Sequence, residues 1–539
     1  MPVTIVALSG PICSGKSMLA ELLVDKAGAK KVKTNELLKD LKPNAKHTRL
    51  SLQRLGDQLD KQTNGSWVVD GLLRLGAIDQ AANQLIVIDS IRIEPQLQAL
   101  RRALNVQVVH IHLVANDEEL AKRYSKRKGD FQEFSEYKKV RQNLTEKHVQ
   151  SLAKIADVVI ETDRCTPEDV LVRVTARLGL RFPVRRATVD VIVGGQYGSE
   201  GKGNIVHYLA PDYDMLVRVG GPNAGHKVFL PNEAPYTFHQ LPSGAMANSQ
   251  AKLVLGAGAV INLERLLKEI ADLSISFDRL AIDRQAMIID QQDIDWETAA
   301  LKNEIASTAQ GVGSATARKI NGRKPNSDVR LAKDIPELKH YLANTVDVLA
   351  EAISDNKRIM LEGTQGTSLS IHHGHYPHVT SRMTTASGCI AEAGIAPHQV
   401  RRVIMVCRTY PIRVGNTDTG KTSGHMEQEI SLQTIADRSG IDVEELNKVE
   451  KTSTTKRDRR IAEFDWAQFR RSIILNAPTD IALTFADYLC VGNREAYRYE
   501  QLTDVTLRFI EEMEKVSGVP VSLISTRFDL RNIIDRRAW

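Results

Sequence analysis

Residues 194–203 read Gly-Gly-Gln-Tyr-Gly-Ser-Glu-Gly-Lys-Gly and follow directly on the apolar run Thr188-Val-Asp-Val-Ile-Val193. An aliphatic strand that hands the chain to a glycine-rich, lysine-bearing turn begins an α/β unit. A turn of this kind is built to hold phosphate. Its glycines let backbone N–H groups face inward without a Cβ clash, and Lys202 adds a full positive charge. The segment continues through a helix-like stretch to Val217-Arg-Val-Gly-Gly-Pro-Asn-Ala-Gly-His226.

At 539 residues the chain is too long for one hydrophobic core and implies two or three domains. A net charge of +6 spread over this length suits small anionic substrates and gives no case for nucleic acid. No apolar run approaches the ~20 residues of a membrane span. The opening Met-Pro-Val-Thr-Ile-Val leads into a strand without a basic segment, so no secretion signal is read. Five cysteines, scattered, odd in number and without CxxC spacing, fit a reducing cytoplasm and argue against zinc.

Aliphatic runs at Val3–Leu8, Leu85–Asp89, Val106–Val114 and Ala156–Ile160 alternate with helical patterns, which predicts a parallel sheet with helices between its strands. This first α/β domain is expected to occupy residues 1–183. The basic, proline-containing stretch Arg181-Phe-Pro-Val-Arg-Arg186 forms the boundary, and a second α/β domain runs over 188–539.

In the first half, Gly10-Pro-Ile-Cys-Ser14-Gly15-Lys16-Ser17 matches GxxxxGK[ST] between strand Val3–Leu8 and a helix over Met18–Lys26. In that setting the backbone amides cradle phosphates, Lys16 neutralises the β/γ oxygens and Ser17 coordinates Mg²⁺. Asp89, closing Leu85-Ile-Val-Ile-Asp, is the matching second acid for the metal. Arg123-Tyr-Ser-Lys-Arg-Lys128 lies where nucleotide kinases keep an arginine-bearing lid, and Arg49 and Arg54 are candidates to hold an acceptor phosphate. The half resembles small P-loop nucleotide and dephospho-coenzyme A kinases.

In the second half the glycine loop and Gly220–His226 are joined by Ser307-Thr-Ala-Gln-Gly-Val-Gly313, Leu361-Glu-Gly-Thr-Gln-Gly-Thr367 and His375-Tyr-Pro-His-Val-Thr-Ser381. The last motif is Glu450-Lys-Thr-Ser-Thr-Thr-Lys-Arg-Asp-Arg-Arg460. In this order they resemble the adenylosuccinate synthetases, which join L-aspartate to C6 of a 6-oxopurine nucleotide through a 6-phosphoryl intermediate. The resemblance implies that Gly198 and Glu200, Gly201, Lys202 and Gly203 hold the triphosphate. Asn223 and Gly225 would lie between substrate and Mg²⁺, and His226 would act as the acid on the transferred phosphoryl group. Thr308 and Thr380 would bind the 5′-phosphate of the purine monophosphate, and Gln365 would face the purine edge. Val414, beside Arg413, would touch the ribose. Thr454, Thr455 and Arg457 would hold aspartate, with Arg459 at the junction of aspartate and phosphate. An arginine given by a second subunit, Arg318 or Arg323, implies a homodimer. Asp487, Ser525 and Thr526 would contact the base of the triphosphate.

Two further patterns invite rival readings. His372, His373, His375 and His378 cluster at metal-like spacing, yet no carboxylate or cysteine is interleaved among them. Gly415-Asn-Thr-Asp-Thr-Gly-Lys421-Thr422 is a second formal P-loop match, read here as a decoy. It follows an expected strand over Val403–Val414 but leads into Ser-Gly-His-Met instead of a helix.

Two positions depart from the family. Ser199 stands where the family carries an aspartate that takes the purine N1 proton and helps to hold Mg²⁺. Either the enzyme is inactive or its substrate has changed, the shorter serine making room for a purine 2-amino group. Because the other catalytic positions are filled, substrate change is preferred. It points to the aminodeoxyadenylosuccinate synthetase branch of some phages, with dGMP ahead of GMP. IMP, and a sensor that binds purines without turnover, are the alternatives. The guanine-reading Thr-Lys-x-Asp is replaced by Thr484-Phe-Ala-Asp487, so ATP or dATP is expected to serve as well as GTP.

Overall fold

The computed structural model describes residues 3–42, 49–77, 84–103, 106–126, 144–180, 187–229, 234–417, 419–450, 459–527 and 533–539. The chain divides into two compact units, Met1–Arg181 and Phe182–Trp539. The expected linker at 181–186 lies outside the described residues. No helix among the described residues is long and apolar enough to cross a membrane.

The first unit is built on a five-stranded sheet in the order Lys30–Lys33, Leu85–Asp89, Thr4–Ser9, Gln107–Val114, Val158–Glu161, parallel throughout. Thr4–Ser9 lies in the middle and is buried from Ile5 onward, which explains its unbroken aliphatic run. The edge strand Lys30–Lys33 went unread in the sequence because only Val32 of Lys-Lys-Val-Lys is buried. Lysines blunt such an edge and leave no apolar signal. The P-loop connects the central strand to helix Lys16–Ala27, entered through Gly15 at φ 100° and left through Gly28 at φ 64°.

The second unit carries a ten-stranded sheet. Its order is Leu342–Ala343, Leu280–Asp283, Lys252–Leu255, Met215–Arg218, Ile359–Glu362, Val189–Gly194, Val400–Arg408, Asp480–Thr484, Val521–Ser525, Ile533–Asp535. Only the last strand is antiparallel. Apolar clusters cover both faces, one around Val191, Leu361 and Met405 and the other around Ile192, Leu216 and Val406. Val189–Gly194 is central, between Ile359–Glu362 and Val400–Arg408. The loops after these three parallel strands therefore leave the same edge of the sheet, where open α/β sheets bind ligands.

The strand expected over Val403–Val414 is corrected to two. Val400–Arg408 stays in the main sheet, whereas Ile412–Val414 joins a small antiparallel sheet with Arg459–Ala462 and Glu429–Ile430. Pro411 has no N–H to continue a ladder, so the chain turns there. The turn has a consequence for the site: the register sets Val414 directly opposite Arg459.

Candidate active site

A cavity of about 480 Å³ opens at this edge of the second unit. Gly198, Ser199, Gly201, Lys202, Gly203, Asn223, Gly225, His226, Thr308, Gln365, Thr380, Val414 and Arg459 all line it. Residues up to 261 positions apart in sequence are thus brought together by loops after the central strands, Met215–Arg218 among them, by the turn before helix Val312–Asn321 and by the small sheet.

The glycine loop is shaped by its own glutamate. Glu200 Oε1 accepts from the backbone N–H groups of Gln196 and Gly198, at 3.0 and 2.7 Å. Lys202 Nζ donates to Glu200 Oε2 at 2.8 Å and to the Gly198 carbonyl at 3.3 Å, and both side chains are buried. The charge expected of Lys202 is thus shared with Glu200 inside the loop, and Lys202 also lines the cavity. Helix Lys202–Leu209 starts through Gly201 at φ 81°. A Cβ on Gly203 would come within 2.8 Å of the His226 Cβ, so only glycine lets the helix start pack on the imidazole.

His226 Nδ1 is hydrogen-bonded to Glu362, a residue the sequence reading passed over. Glu362 ends its strand beside Arg218 and also accepts from the Ser243 N–H and hydroxyl, at 2.8 and 2.6 Å. Burial opposes its ionisation, yet Arg218, His226 and Ser243 outweigh burial and hold the carboxyl down at about 2. An ionised carboxylate can only accept, so Nδ1 carries the proton and Nε2 presents a lone pair. Burial, with Arg218 and Lys202 nearby, lowers His226 to about 4. The resting imidazole is neutral at pH 7, and a phosphoryl anion beside Nε2 would draw a proton onto it.

Among the described residues that line the cavity, four buried polar atoms have no hydrogen-bond partner: His226 Nε2, Gln365 Oε1, Asn223 Oδ1 and Arg459 Nε. Gln365 Nε2 donates to the Thr380 hydroxyl at 2.8 Å, which fixes the amide with its oxygen unshared. Buried polar groups left in this way are costly unless a ligand completes them. Strained backbone gathers here too. Ala306, Ala309, Gln365 and Phe485 all have φ between 47° and 62°, a region that non-glycine residues rarely enter.

A second buried group closes the cavity. Glu450 accepts from Arg408 at 2.7 Å, from Arg459 at 3.1 Å and from the Tyr488 hydroxyl at 2.7 Å. Burial works against its charge, but Arg408 and Arg459 hold it at about 2. Glu450→Ala would leave Arg408 buried without a counter-charge, so it is expected to destabilise this unit by about 3–5 kcal/mol, read from its urea transition. Acid should act in the same direction. Glu362 and Glu450, ordinarily near 4.5, contribute stability that is complete above that pH and is lost as pH falls toward 2. His226, lowered from 6.5 to about 4, adds a loss that begins below 6.5 because the unfolded chain takes up its proton first. The thermal midpoint of the second unit should therefore fall steadily from pH 6.5 downward, and a midpoint constant to pH 4 would contradict this.

Other expected residues lie apart from the cavity. Arg318 is held by Asp290 and Asp293, at 2.8 and 2.6 Å. Arg323 is exposed and donates to the Ile320 carbonyl. Asp487 is bound to Arg494 at 3.1 Å, and burial raises its carboxyl to about 6. Ser525 and Thr526 donate to the Arg527 and Ala496 carbonyls. Phe485 lines the cavity, and the Arg408 guanidinium lies 3.9 Å from its ring centre. Thr454, Thr455 and Arg457 lie outside the described residues. His378 borders the cavity, whereas His375 lies against His425. In the formal second P-loop, Lys421 pairs with Glu304 and no helix follows before strand Glu429–Ile430.

In the first unit the P-loop has Lys16 Nζ folded back on the Gly10 and Pro11 carbonyls, at 2.7 Å each, and close to the Ser14 hydroxyl. Ser17 Oγ donates to Asp89 Oδ2 at 3.1 Å, so hydroxyl and carboxylate oxygens adjoin as a magnesium site requires. Arg123 donates to Thr162, whose hydroxyl donates to the Ser14 carbonyl. This ties the expected lid arginine to the loop, while Arg127 and Lys128 lie outside the described residues.

The fold and these gathered groups define a nucleotide-using α/β enzyme. The sequence matches the family described as adenylosuccinate synthetase over residues 191–333 and 328–494, and an AAA domain over 5–156. The chain belongs to the adenylosuccinate synthetase family, fused to an N-terminal P-loop domain, and is a C–N ligase of that type. The adenylosuccinate synthetase of Methanocaldococcus jannaschii is 37% identical over 361 residues, 65% of this chain and 97% of that protein. That of Archaeoglobus fulgidus is 37% identical over 355 residues, 64% of this chain and 98% of its own length. Among solved structures, the cyanophage S-2L succinoaminodeoxyadenylate synthetase (PurZ), bound to dGMP and dATP as an energy donor, superposes with TM-score 0.55 at 29% identity. It covers 66% of this chain and 97% of that one. The fully ligated adenylosuccinate synthetase of Plasmodium falciparum shares the fold, with TM-score 0.55 at 23% identity over 65% of this chain and all of that one.

Proposed function

We propose that the second unit joins L-aspartate to C6 of a 2-amino-6-oxopurine nucleotide, dGMP ahead of GMP, giving the 2-amino-adenylosuccinate nucleotide. The γ-phosphoryl group of a nucleoside triphosphate passes to the purine O6 as the nucleoside diphosphate leaves. The aspartate amine then bonds to C6, and the C6–O6 bond breaks to release phosphate.

The observation that carries this reading is that His226 Nε2, Gln365 Oε1 and Asn223 Oδ1, unpartnered buried atoms, belong to residues that line one cavity with Ser199. Gln365 Oε1 suits an N–H donor on the purine edge, and Ser199 leaves room where a carboxylate would crowd a 2-amino group. His226 Nε2 faces the transferred phosphoryl, with Lys202 and Gly198 to Gly203 about the triphosphate. Thr308 and Thr380 would take the monophosphate, Val414 the ribose, and Arg459 with Thr454, Thr455 and Arg457 the aspartate. For Mg²⁺ the cavity offers Asn223 Oδ1, the Gly225 backbone and the Ser199 hydroxyl. These are oxygen donors compatible with an ion that keeps its waters and phosphate oxygens, and the ion would neutralise the triphosphate. The S-2L relative, which binds dGMP and dATP, supports the choice of substrate. The archaeal relatives, at higher identity, favour an enzyme of the IMP-using kind as the rival.

ATP and dATP are expected to match or exceed GTP as phosphoryl donors, since Thr484-Phe-Ala-Asp487 has lost the family lysine and Arg494 occupies one oxygen of Asp487. Aspartate-dependent phosphate release with dGMP and each triphosphate tests this, and turnover with GTP alone would contradict it. A homodimer is proposed with Arg323 as the arginine given in trans, because Arg318 is spent within its own subunit; light scattering reads the mass. The first unit is proposed to be a nucleoside monophosphate kinase, with Lys16 and the Ser17–Asp89 pair at its triphosphate site.

A further inference from the structure

The first unit has a second cavity, lined in part by Asp60, Trp67, Ser90, Arg92 and Gln96. It begins immediately beyond Asp89, the residue hydrogen-bonded to the P-loop Ser17. Ser90 and Arg92, next along the chain, line it, so the strand end that meets the P-loop also leads into this cavity. Arg54 is exposed and does not line the cavity, and the Arg49 side chain lies outside the described residues.

Asp60 is unusually well fixed. Its Oδ1 accepts from Trp67 Nε1 at 2.6 Å and from Gln96 Nε2 at 2.9 Å, and its Oδ2 lies 3.2 Å from the same amide. Gln96, 2% exposed, is locked in turn by the Arg92 N–H on its Oε1 at 2.9 Å. Gly65 allows this packing: with φ 78°, a Cβ there would lie 2.5 Å from the Gln96 nitrogen. Both hydrogen-bond donors to Asp60 are neutral, and burial, with Asp57 adding to it, raises its carboxyl against the pull of these donors and of the Arg92 charge. A carboxylate oriented by neutral donors and facing a cavity is poised to accept further N–H groups. Leu38, Leu52 and Trp67 provide apolar walls for a flat ring.

We infer that this cavity is the acceptor site of the first unit and that it takes a 2-amino-6-oxopurine nucleoside monophosphate. Its N1–H and 2-amino N–H form the paired donor edge that one carboxylate can accept. A purine without the 2-amino group offers Asp60 only one of these two donors. Arg92 sets a positive charge at the end nearest Asp89, where the acceptor phosphate would lie. In the transfer, an acceptor phosphate oxygen bonds to the γ-phosphorus, the bond from that phosphorus to the β–γ bridging oxygen breaks, and the electron pair leaves with the nucleoside diphosphate. The inference rests on the kinase reading of this unit, and it makes both halves of the chain act on one class of purine.

The test uses the full-length protein with ATP and Mg²⁺ but no aspartate, offering dGMP, dIMP, dAMP or TMP and resolving the nucleotides by ion exchange. The expected result is dGDP, with kcat/KM for dGMP about ten- to hundredfold above that for dIMP. Lys16→Ala should abolish every diphosphate. Asp60→Asn, which keeps the shape but removes one acceptor, should reduce the dGMP-to-dIMP ratio at least tenfold. No diphosphate from any acceptor would overturn the kinase reading itself. Diphosphate formed equally from dGMP and dIMP, or a preference unchanged in Asp60→Asn, would overturn the role given to Asp60 while the kinase reading stands. The dGMP-to-dIMP ratio of the unaltered protein decides the matter even if the variant fails to fold.

Discussion

Replacing His226 with alanine should lower ligase turnover by about 10²–10⁴-fold, the range for losing a positioned general acid, with nucleotide binding retained. Nε2 is buried at the cavity with no protein partner, so its hydrogen bond is reserved for a ligand. Its proton state is set by the site. Burial lowers the imidazole to about 4, while Glu362 fixes Nδ1–H and leaves Nε2 able to gain a proton when a phosphoryl anion arrives. The substitution leaves Glu362 with Arg218 and Ser243, so the strand end keeps its counter-charge and donors. Steady-state kcat, with dGMP affinity by calorimetry, separates the two effects. Turnover within tenfold of the parent would remove His226 from the chemistry. Unchanged purine binding in a protein that never releases phosphate would favour a sensor.

Ser199→Asp should move substrate preference from dGMP toward IMP. A carboxylate at this position would crowd the 2-amino group, supply a base suited to N1 and add an oxygen ligand for Mg²⁺. If that single contact decides, the kcat/KM ratio should shift by about one to three kcal/mol, roughly five- to 150-fold. Ser199 lines the cavity, and its carbonyl accepts from Arg408 at 3.4 Å, so the backbone that carries the new side chain is anchored. Both substrates would be measured on both proteins. An unchanged ratio would mean that specificity resides elsewhere, with Gln365 and Val414 the nearest candidates.

Local signals announced much of this molecule. Glycine loops after aliphatic runs marked both strand–turn–helix connections, and parallel strands buried on both faces read as unbroken apolar runs. What escaped notice depends on contacts distant in sequence. Glu362 stands three residues before Gln365, in a motif that was quoted, yet its value comes from His226, 136 positions away. Asp60 and Gln96 likewise meet across 36 residues with no motif between them. Strand Lys30–Lys33 was hidden because its lysines face solvent, and Pro411 divided what its aliphatic composition presented as one strand. The contact of the Arg408 guanidinium with the Phe485 ring spans 77 positions and carries no local signal. Arg318 and Arg323 read alike in the sequence, and the pairing of Arg318 with Asp290 and Asp293 depends on residues of helix Gln291–Ala300 and its cap, some 25 positions away.

The most direct test of the central claim is to incubate the purified protein with L-aspartate, Mg²⁺ and ATP or GTP, together with IMP, GMP or dGMP, and to quantify succinylated nucleotide. The account predicts product from dGMP at the highest kcat/KM, with GMP second. Succinylated product from IMP alone would contradict it.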